Sequence, residues 1–302
     1  MEWTAITVTT SIDASEAVSN MFAELAVGGV QIDDQATNPE LDDQTVQVTA
    51  YIPSNTDAAP LLASVRDGLT HLSDFGLEGG AGTVATTTID DGQWTNVWEQ
   101  YYHAVRLTRY LTVAPRWEEY SPSQPGELVV RLDPGQAFGT GTHPTTRLVL
   151  QLLEAVVRGG ERTLDVGTGS GVLAVAAERL GVGSVLATDI DAVAVASAEK
   201  NIALNPVSHI TVIASDLLRS VPDDQQFDLV LANILPDVLE RLVPEVPHVL
   251  AERGQLILSG ILLAKEPRVR QWLTDAGLVV TTTITDGKWV ALLATRPDGE
   301  VA

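Results

Sequence analysis

The sequence predicts an α/β protein in which a small α+β domain precedes a larger domain with a doubly wound sheet. Strand and helix signals alternate through residues 107–302, as in sheets covered by helices on both faces. A glycine turn, LDVGTGSG at 164–171, stands between a strand signal and a helix signal, which is a common ligand site in such folds. Residues 1–90 follow a different order of elements. These three observations separate the chain into two domains.

Residues 1–90 are predicted to form the small domain. Its strands are expected at 2–10, 30–32, 45–52 and 83–89, and its helices at 13–26 and 57–72. The resulting order, strand-helix-strand-strand-helix-strand, is that of a ferredoxin-like fold. Because no residue in this stretch looks catalytic, we expect a substrate-recognition domain.

Residues 91–106 are predicted to form a helical linker, because Trp94 and Trp98 share one helical face at a spacing of four. The catalytic domain is expected at 107–302. Its strands are predicted at 111–113, 127–131, 162–166, 184–188, 210–214, 227–232, 255–259, 278–284 and 289–295. Its helices are predicted at 145–157, 172–180, 192–204, 238–250 and 266–276, the fourth of them irregular because of its prolines.

The composition excludes several kinds of site and partner. The chain has no cysteine, which removes disulfides and thiolate ligands, and its five histidines are scattered, so no metal site is expected. The net charge of −22 disfavours nucleic-acid readout, and it would attract a basic protein partner or else serve only to keep the protein in solution. No apolar run has membrane-spanning length, and the N-terminus has no signal pattern. We therefore expect a cytoplasmic protein that does not bind membranes, and separately we expect a monomer.

The glycine turn is compatible with three ligands, namely a dinucleotide, a triphosphate and a methyl donor. Gly167, Gly169 and Gly171 let backbone amides approach a ligand. A triphosphate loop needs a lysine that is missing here, and the glycine spacing is one residue shorter than the dinucleotide pattern GxGxxG. Asp165, just before the turn, would repel a pyrophosphate but would hold a cationic ligand, directly or through water. This contrast favours S-adenosyl-L-methionine.

Polar residues near the ends of the next strands extend the candidate site. Asp189 ends the second strand, where an acid can accept both ribose hydroxyls. Asp216 follows the third strand and can reach an adenine amino group, or else cap the next helix. Asn233 ends the fourth strand and can orient a substrate amine through its carbonyl oxygen, or else cap a turn. The glycine- and threonine-rich loop at 133–146 is expected to form a lid or a pocket wall.

Five segments together resemble one enzyme family. They are DPGQAFGTGTHPTT (133–146), LDVGTGSG (164–171), ATDID (187–191), ANIL (232–235) and LSGIL (258–262). The combination closely resembles the ribosomal protein L11 methyltransferases, the PrmA family, from about Trp94 to the C-terminus, including the closing GKWVA at 287–291. The resemblance implies a class I, Rossmann-like methyltransferase that uses S-adenosyl-L-methionine. It also implies that the small domain recognises L11 and that the catalytic domain methylates lysine and N-terminal amines several times.

The resemblance carries particular cofactor contacts with it. The family's second Thr of the PTT segment, first glycine of the turn, acid of the second strand and Asn of the fourth are here Thr146, Gly167, Asp189 and Asn233. We assign the catalytic role to Asn233. The further residues expected to bind the cofactor are Gly169, Asp165, Asp216, Phe138 and Thr142.

The chain departs from the family pattern at the linker and in the turn. Family members often carry lysines near the second linker tryptophan, where this chain has Glu99 and His103–Ala104. If those lysines hold the substrate or fix the domain angle, this protein does so differently. Thr168 stands where the family often has Cys, a change expected to be harmless because a side chain there need not touch the ligand.

Other functions stay open at the level of sequence. One is methylation of another protein, of a nucleobase or of a small-molecule amine. The Asn-Pro-Pro-aromatic tetrad that suits planar amide and adenine targets is replaced here by NILP at 233–236. A nicotinamide-dependent oxidoreductase is disfavoured by the glycine spacing. A binding module that kept the cofactor but lost catalysis is disfavoured only weakly, by the intact loop at 133–146.

Overall fold

The computed structural model describes residues 2–24, 30–35, 38, 41–53, 56, 58–72, 82–90, 102–133, 143–222 and 224–297. The chain divides into two compact units, Met1–Tyr101 and Tyr102–Ala302. Phe138, Thr142, Glu99 and most of the predicted linker lie outside the described residues. Within the part of the chain that the structure describes, no helix is both long and apolar enough to cross a membrane.

The N-terminal unit has the element order predicted from the sequence. Its elements are β1 (Glu2–Ser11), α1 (Ile12–Glu24), β2 (Val30–Asp33), β3 (Thr45–Pro53), α2 (Ala59–His71) and β4 (Thr83–Asp90). The strands form an antiparallel sheet in the order β2-β3-β1-β4, as in a ferredoxin-like fold. Val8 and Val48 face each other across β1 and β3 and are fully buried with Phe22 of α1. One face of the sheet therefore packs on the helices.

The C-terminal unit contains a seven-stranded sheet in the order β10-β9-β8-β11-β12-β14-β13. Its strands are β8 (Arg162–Val166), β9 (Ser184–Asp189), β10 (Ile210–Ala214), β11 (Phe227–Asn233), β12 (Leu250–Leu262), β13 (Val279–Asp286) and β14 (Trp289–Thr295). The first five in spatial order are parallel, and the last two pair antiparallel as a hairpin whose second strand lies beside β12. The predicted doubly wound sheet is confirmed, and the two last predicted strands form its terminal hairpin.

Helices cover both faces of this sheet. They are α3 (Pro144–Val156), α4 (Val172–Leu180), α5 (Ala192–Ala203), α6 (Pro236–Leu242), α7 (Val246–Val249) and α8 (Glu266–Asp275). Leu229 and Leu231 of β11 join a core that includes α3 and α4. Val230 and Ala232, which point to the opposite face, join a second core that includes α6 and α8. The near-continuous apolar run in β11 reflects this burial on both sides.

The prediction of one irregular helix at 238–250 is wrong in its extent. The chain forms α6 and α7 instead, and Leu250 already begins β12, which is longer than the predicted 255–259. Pro236 and Pro247 each occupy the start of a helix, where the absent N–H is not needed. Of the two prolines inside the predicted range, Pro247 starts α7 and Pro244 lies in the turn between α6 and α7, so neither distorts one long helix.

Residues 102–133 form a small sheet of their own that was only partly expected. It contains β5 (Val105–Arg106), β6 (Leu111–Pro115) and β7 (Leu128–Leu132), in that order. The helical prediction for the linker is therefore wrong at its last two residues, because β5 pairs antiparallel with β6. The aromatic pair on which that prediction rested, Trp94 and Trp98, lies outside the described residues.

A buried carboxylate organises this small sheet. Glu127 accepts hydrogen bonds from the Thr112 hydroxyl at 2.5 Å, the Tyr120 hydroxyl at 2.5 Å and the Ser123 amide at 2.6 Å. Arg106 of β5 adds an ion pair at 3.0 Å. These donors, first of them Thr112, hold the pKa of Glu127 well below its usual range. The carboxylate therefore fastens β5, β6 and the loop before β7 to one another.

Candidate cofactor site

A cavity of about 600 Å³ opens at the carboxyl ends of the parallel strands. Gly167 and Gly169 after β8, Asp189 at the end of β9, Asp216 after β10 and Asn233 at the end of β11 line it. These five predicted residues are thus brought together. This is the edge where open α/β sheets bind their ligands.

The turn after β8 depends on its glycines. Gly167, Gly169 and Gly171 have φ angles of +73°, +55° and +80°, a region that side chains other than hydrogen disfavour. A Cβ atom at Gly167 would lie 2.4 Å from Cγ2 of Ile234. The Gly167 and Thr168 amides donate to the Thr188 carbonyl at 2.8 and 2.9 Å. The turn is therefore closely packed against the segment that follows β11.

Asp189 is fixed by backbone amides at the floor of the cavity. Its Oδ2 accepts from the Gly169 amide at 2.9 Å, and its Oδ1 accepts from the Asp191 amide at 3.0 Å. A carboxylate has about four lone-pair directions, so each oxygen retains one acceptor position. Both positions are available to the two hydroxyls of a ribose, in keeping with the role predicted for this acid.

Asp165 lies beneath the turn. Its side chain is fully buried and its Oδ2 accepts from the Thr168 hydroxyl at 2.6 Å. Its Oδ1 has no hydrogen-bond partner among the described residues. Burial, opposed by the Thr168 hydrogen bond and assisted by the charge of Asp189, raises the pKa of Asp165 to about 7. Asp165 is not one of the cavity's lining residues, and its contact with the cofactor stays a prediction.

Asp216 is held by two arginines. Arg241 donates from Nη2 to Oδ1 at 2.9 Å and to Oδ2 at 3.0 Å, and Arg219 Nη1 lies 3.1 Å from Oδ2. The alternative that Asp216 caps a helix is wrong, because residues 216–220 form turns and no helix lies between β10 and β11 among the described residues. The carboxylate faces the cavity.

Asn233 lines the cavity and carries a buried side-chain oxygen without a partner among the described residues. Its Nδ2 donates to the hydroxyl of Thr146 at 3.4 Å, whereas its buried Oδ1 accepts no hydrogen bond from the described residues. Thr146 is itself fully buried in the first turn of α3. The alternative that Asn233 caps a turn is wrong, since its Oδ1 accepts from no backbone amide of the described residues. A buried carbonyl oxygen without a donor is costly unless a ligand supplies one.

Gly260 explains why the sequence LSGIL accompanies the site. It has a φ of +82°, and a Cβ atom there would lie 2.3 Å from the carbonyl oxygen of Ile234. β12 can therefore pass directly against the segment that follows Asn233. Ile234 is thus confined on one side by Gly260 and on the other by Gly167, which fixes the end of β11.

Several cavity residues were not found from sequence. His143 and Trp289 line the wall near Asn233, with their ring centroids 5.0 Å apart. Both residues belong to segments that resemble the enzyme family, so that resemblance could have identified them as cavity residues. Leu217 and Arg241 also line the cavity. An arginine on a helix is too common to stand out, and Leu217 is unusual only in its φ of +55°.

The comparisons with known proteins agree with this geometry. A family model described as ribosomal protein L11 methyltransferase (PrmA) matches residues 2–297. The chain belongs to this family. It is 48% identical to the ribosomal protein L11 methyltransferase of Lacticaseibacillus paracasei, over 96% of this chain and 97% of that protein. The identity to the enzyme of Levilactobacillus brevis is 42%, over 98% and 99% of the two chains.

A solved structure extends the comparison. The crystal structure of ribosomal protein L11 methylase from Lactobacillus delbrueckii subsp. bulgaricus is 40% identical to this PrmA-family chain. The match covers 65% of this chain and 99% of the L. delbrueckii chain, with a TM-score of 0.62. The predicted family and the methyltransferase fold are confirmed.

The site fits the cofactor of this methyltransferase family, S-adenosyl-L-methionine. The cavity of about 600 Å³ has the size of a small-molecule site. Asp189 offers acceptors for ribose hydroxyls, and Asp216 offers one for an amino group. A cofactor without phosphates needs no lysine in the turn, and none is present between Gly135 and Gly183. The enzyme is therefore an S-adenosyl-L-methionine-dependent methyltransferase.

Proposed function

We propose that this enzyme transfers methyl groups from S-adenosyl-L-methionine to lysine side-chain and N-terminal amines of ribosomal protein L11. The observation that carries the amine assignment is the buried, unpaired Oδ1 of Asn233 in the cavity wall. An amine N–H is a donor of the kind that this oxygen lacks. The family relatives, which are named for L11, supply the identity of the substrate.

The cofactor supplies a methyl group on a sulfonium, which is already electrophilic, so the protein's own work is to position and desolvate the amine. Asn233 would accept one N–H of the amine and thereby direct its lone pair. The amine must be neutral, and a lysine with a pKa near 10.4 loses about 5 kcal/mol in becoming neutral at pH 7. Burial beside the apolar lining residues disfavours the ammonium and reduces that cost.

Proton removal needs no dedicated base in this proposal. The amine loses its proton to water before transfer, and the Asn233 amide only holds the neutral form in place. Asp165, whose pKa of about 7 would suit a base, is fully buried beneath the turn and is given no such role. Its buried place separates it from the amine that Asn233 would hold.

We also propose that residues 1–90 recognise L11. In the N-terminal sheet, the face opposite the helices is polar. Tyr51 donates to Gln31 at 2.6 Å, and Gln31 donates to Asp33 at 2.7 Å. Burial, and then the charge of Asp33, raises the pKa of Tyr51 to about 12, so the hydroxyl stays a neutral donor. An acidic group on this face suits a basic partner, as does the net charge of −22.

The oligomeric state, the location and the choice of partner complete the proposal. We propose that it acts as a monomer, in the cytoplasm, without reading nucleic acid. The acidic charge balance supports a protein partner over a polyanion.

The test of the substrate uses radiolabelled S-adenosyl-L-methionine and ribosomal proteins from a strain that lacks L11 methylation. We expect label in L11 alone, at lysine and N-terminal amines identified by mass spectrometry. Label in ribosomal RNA, in several ribosomal proteins, or in none would contradict the proposal.

The recognition role is tested by charge reversal. Asp33→Lys on the polar face should raise KM for L11 about tenfold while KM for the cofactor stays unchanged. The matched control is Asp67→Lys on the exposed side of α2, which should leave both constants unchanged. Equal effects of the two variants would show that position 33 has no special part.

A further inference from the structure

We propose that Arg241 is a positioning residue for adenine recognition, because it holds the Asp216 carboxylate at the angle that accepts one N–H of the adenine amino group. The inference rests on the assignment of S-adenosyl-L-methionine as the ligand and on the predicted contact of Asp216. The proposal adds Arg241, a residue remote from the reacting amine, and gives it a part in deciding which base the cavity prefers.

The geometry leaves Asp216 with little choice of orientation. One nitrogen of Arg241 donates to both of its oxygens, at 2.9 and 3.0 Å, and Arg219 lies 3.1 Å from Oδ2. Two donors thus face Oδ2 and one faces Oδ1. A carboxylate oxygen has two lone-pair directions, so one direction on Oδ1 is left for a further donor. That single position matches one amino hydrogen.

The backbone beside Asp216 is also fixed. Leu217 has a φ of +55°, which costs a residue with a side chain about 1 kcal/mol or more. The Ser215 hydroxyl donates to the Leu217 carbonyl at 2.8 Å and accepts from the Ser220 amide at 3.0 Å. Leu217 also lines the cavity. A strained turn held in this way, next to a clamped carboxylate, indicates a preformed binding edge.

Arg241 is well placed for this task because it belongs to the cavity itself. It lies in the last turn of α6 and is one of the lining residues, as is Asn233 before the same helix. The segment 233–241 therefore contributes the amine-orienting amide at one end and the clamp on Asp216 at the other. Since the side chain of Arg241 is 54% exposed, its pairing is expected to contribute little to overall stability.

The test is a thermodynamic cycle that combines one substitution in the protein with one change in the ligand and compares binding affinities. The variant Arg241→Gln is compared with the wild type for binding S-adenosylhomocysteine and its analogue with purine in place of adenine, which lacks the amino group. The wild type should prefer the adenine ligand about tenfold, the size expected for a hydrogen bond to a charged group. In Arg241→Gln the preference should fall to about twofold, measured by calorimetry.

The matched control is Arg268→Gln. Arg268 donates to Glu240 at 2.9 Å from a side chain that is 63% exposed, and it is not a lining residue of the cavity. This variant should keep the tenfold preference. In steady-state assays, Arg241→Gln should raise KM for S-adenosyl-L-methionine about fivefold and leave kcat within about twofold, because the amine-orienting residues are intact.

The outcomes distinguish failure of the role given to Arg241 from failure of the cofactor assignment. If Arg241→Gln retains the full adenine preference, or if the wild type binds both ligands equally, the positioning role is overturned while the cofactor assignment stands. If the wild type binds neither ligand, the cofactor assignment itself fails. Thermal melting that coincides for both variants and the wild type shows that any loss of preference is not a loss of folding.

Discussion

The amide nitrogen of Asn233 donates to the hydroxyl of Thr146 across 3.4 Å, joining the end of β11 to the first turn of α3. With the hydroxyl as acceptor, this contact turns the amide nitrogen towards α3. The oxygen is buried and has no donor among the described residues. The pair therefore preorganises one acceptor for an incoming N–H, and preorganised polar groups are the usual source of catalytic effect.

Replacing Asn233 by Ala should abolish most of the activity. The variant removes the acceptor that directs the amine lone pair, and we expect kcat to fall about 100-fold, or about 2.7 kcal/mol. Asn233 is one of the expected cofactor contacts, so binding of S-adenosylhomocysteine should also weaken, but by about tenfold at most, because Asp189 and Asp216 are untouched. The measurement is single-turnover methylation of L11 alongside calorimetry. A turnover near that of the wild type would show that the amide does not orient the substrate.

Thr146 should matter through its hydroxyl. Thr146→Val keeps the shape but offers no acceptor to the Asn233 amide, so the amide loses the hydrogen bond that orients it. We expect kcat to fall about tenfold, with little change in the unfolding midpoint. Thr146→Ser is the matched control, because it keeps the hydroxyl, and it should retain at least half of the activity. Equal losses in both variants would point to packing of the Thr146 methyl group as the cause.

The residues expected to contact the cofactor could be predicted from the sequence, whereas the residues that hold them in place could not. Gly167, Asp189 and Asn233 follow strands, and the carboxyl ends of parallel strands meet at one edge, so their place in one cavity could be predicted. The clamp of Arg241 on Asp216 joins residues 25 positions apart. The pattern of apolar residues along the sequence does not predict such a contact, because the contact depends on where α6 packs.

The fold shows the same division. The ferredoxin-like order and the doubly wound sheet follow from alternating local signals. The strand Val105–Arg106 was missed because its pairing with β6 and the ion pair of Arg106 with Glu127 are tertiary. The helix expected at 238–250 was wrong because proline was treated as a distortion within a helix, although it is also favoured at a helix start.

Gly167→Ala should damage both stability and cofactor binding. A methyl group at this position combines a φ of +73° with an approach of 2.4 Å to Ile234. The two costs together should lower the free energy of unfolding by about 3 kcal/mol, and binding of S-adenosylhomocysteine should weaken at least tenfold. Urea denaturation and calorimetry measure the two effects.

A control for Gly167 isolates the cost of the backbone. Gly277 has a φ of +71°, but a Cβ atom there would have no neighbour within 4 Å among the described residues. Gly277→Ala should therefore cost only about 1 kcal/mol and leave ligand binding unchanged. If Gly167→Ala were no worse than this control, the close contact with Ile234 would not constrain the turn.

Asp165 should make stability depend on pH in a direction opposite to that of most carboxylates. Its pKa is about 7 in the folded protein and about 3.9 when unfolded. Between these values the native state keeps a proton that the unfolded state has lost. The contribution of Asp165 is therefore fully present below about pH 4 and is lost as the pH rises towards 7.

Asp165→Asn isolates this contribution, because an amide oxygen can still accept from the Thr168 hydroxyl but does not titrate. Measured by urea denaturation without cofactor, the variant should gain about 2 kcal/mol relative to the wild type between pH 5 and pH 7. Asp237→Asn, at a side chain that is 82% exposed, is the control and should show a nearly constant difference. A constant difference for Asp165→Asn as well would mean that the carboxylate beneath the glycine turn is ionised throughout this range.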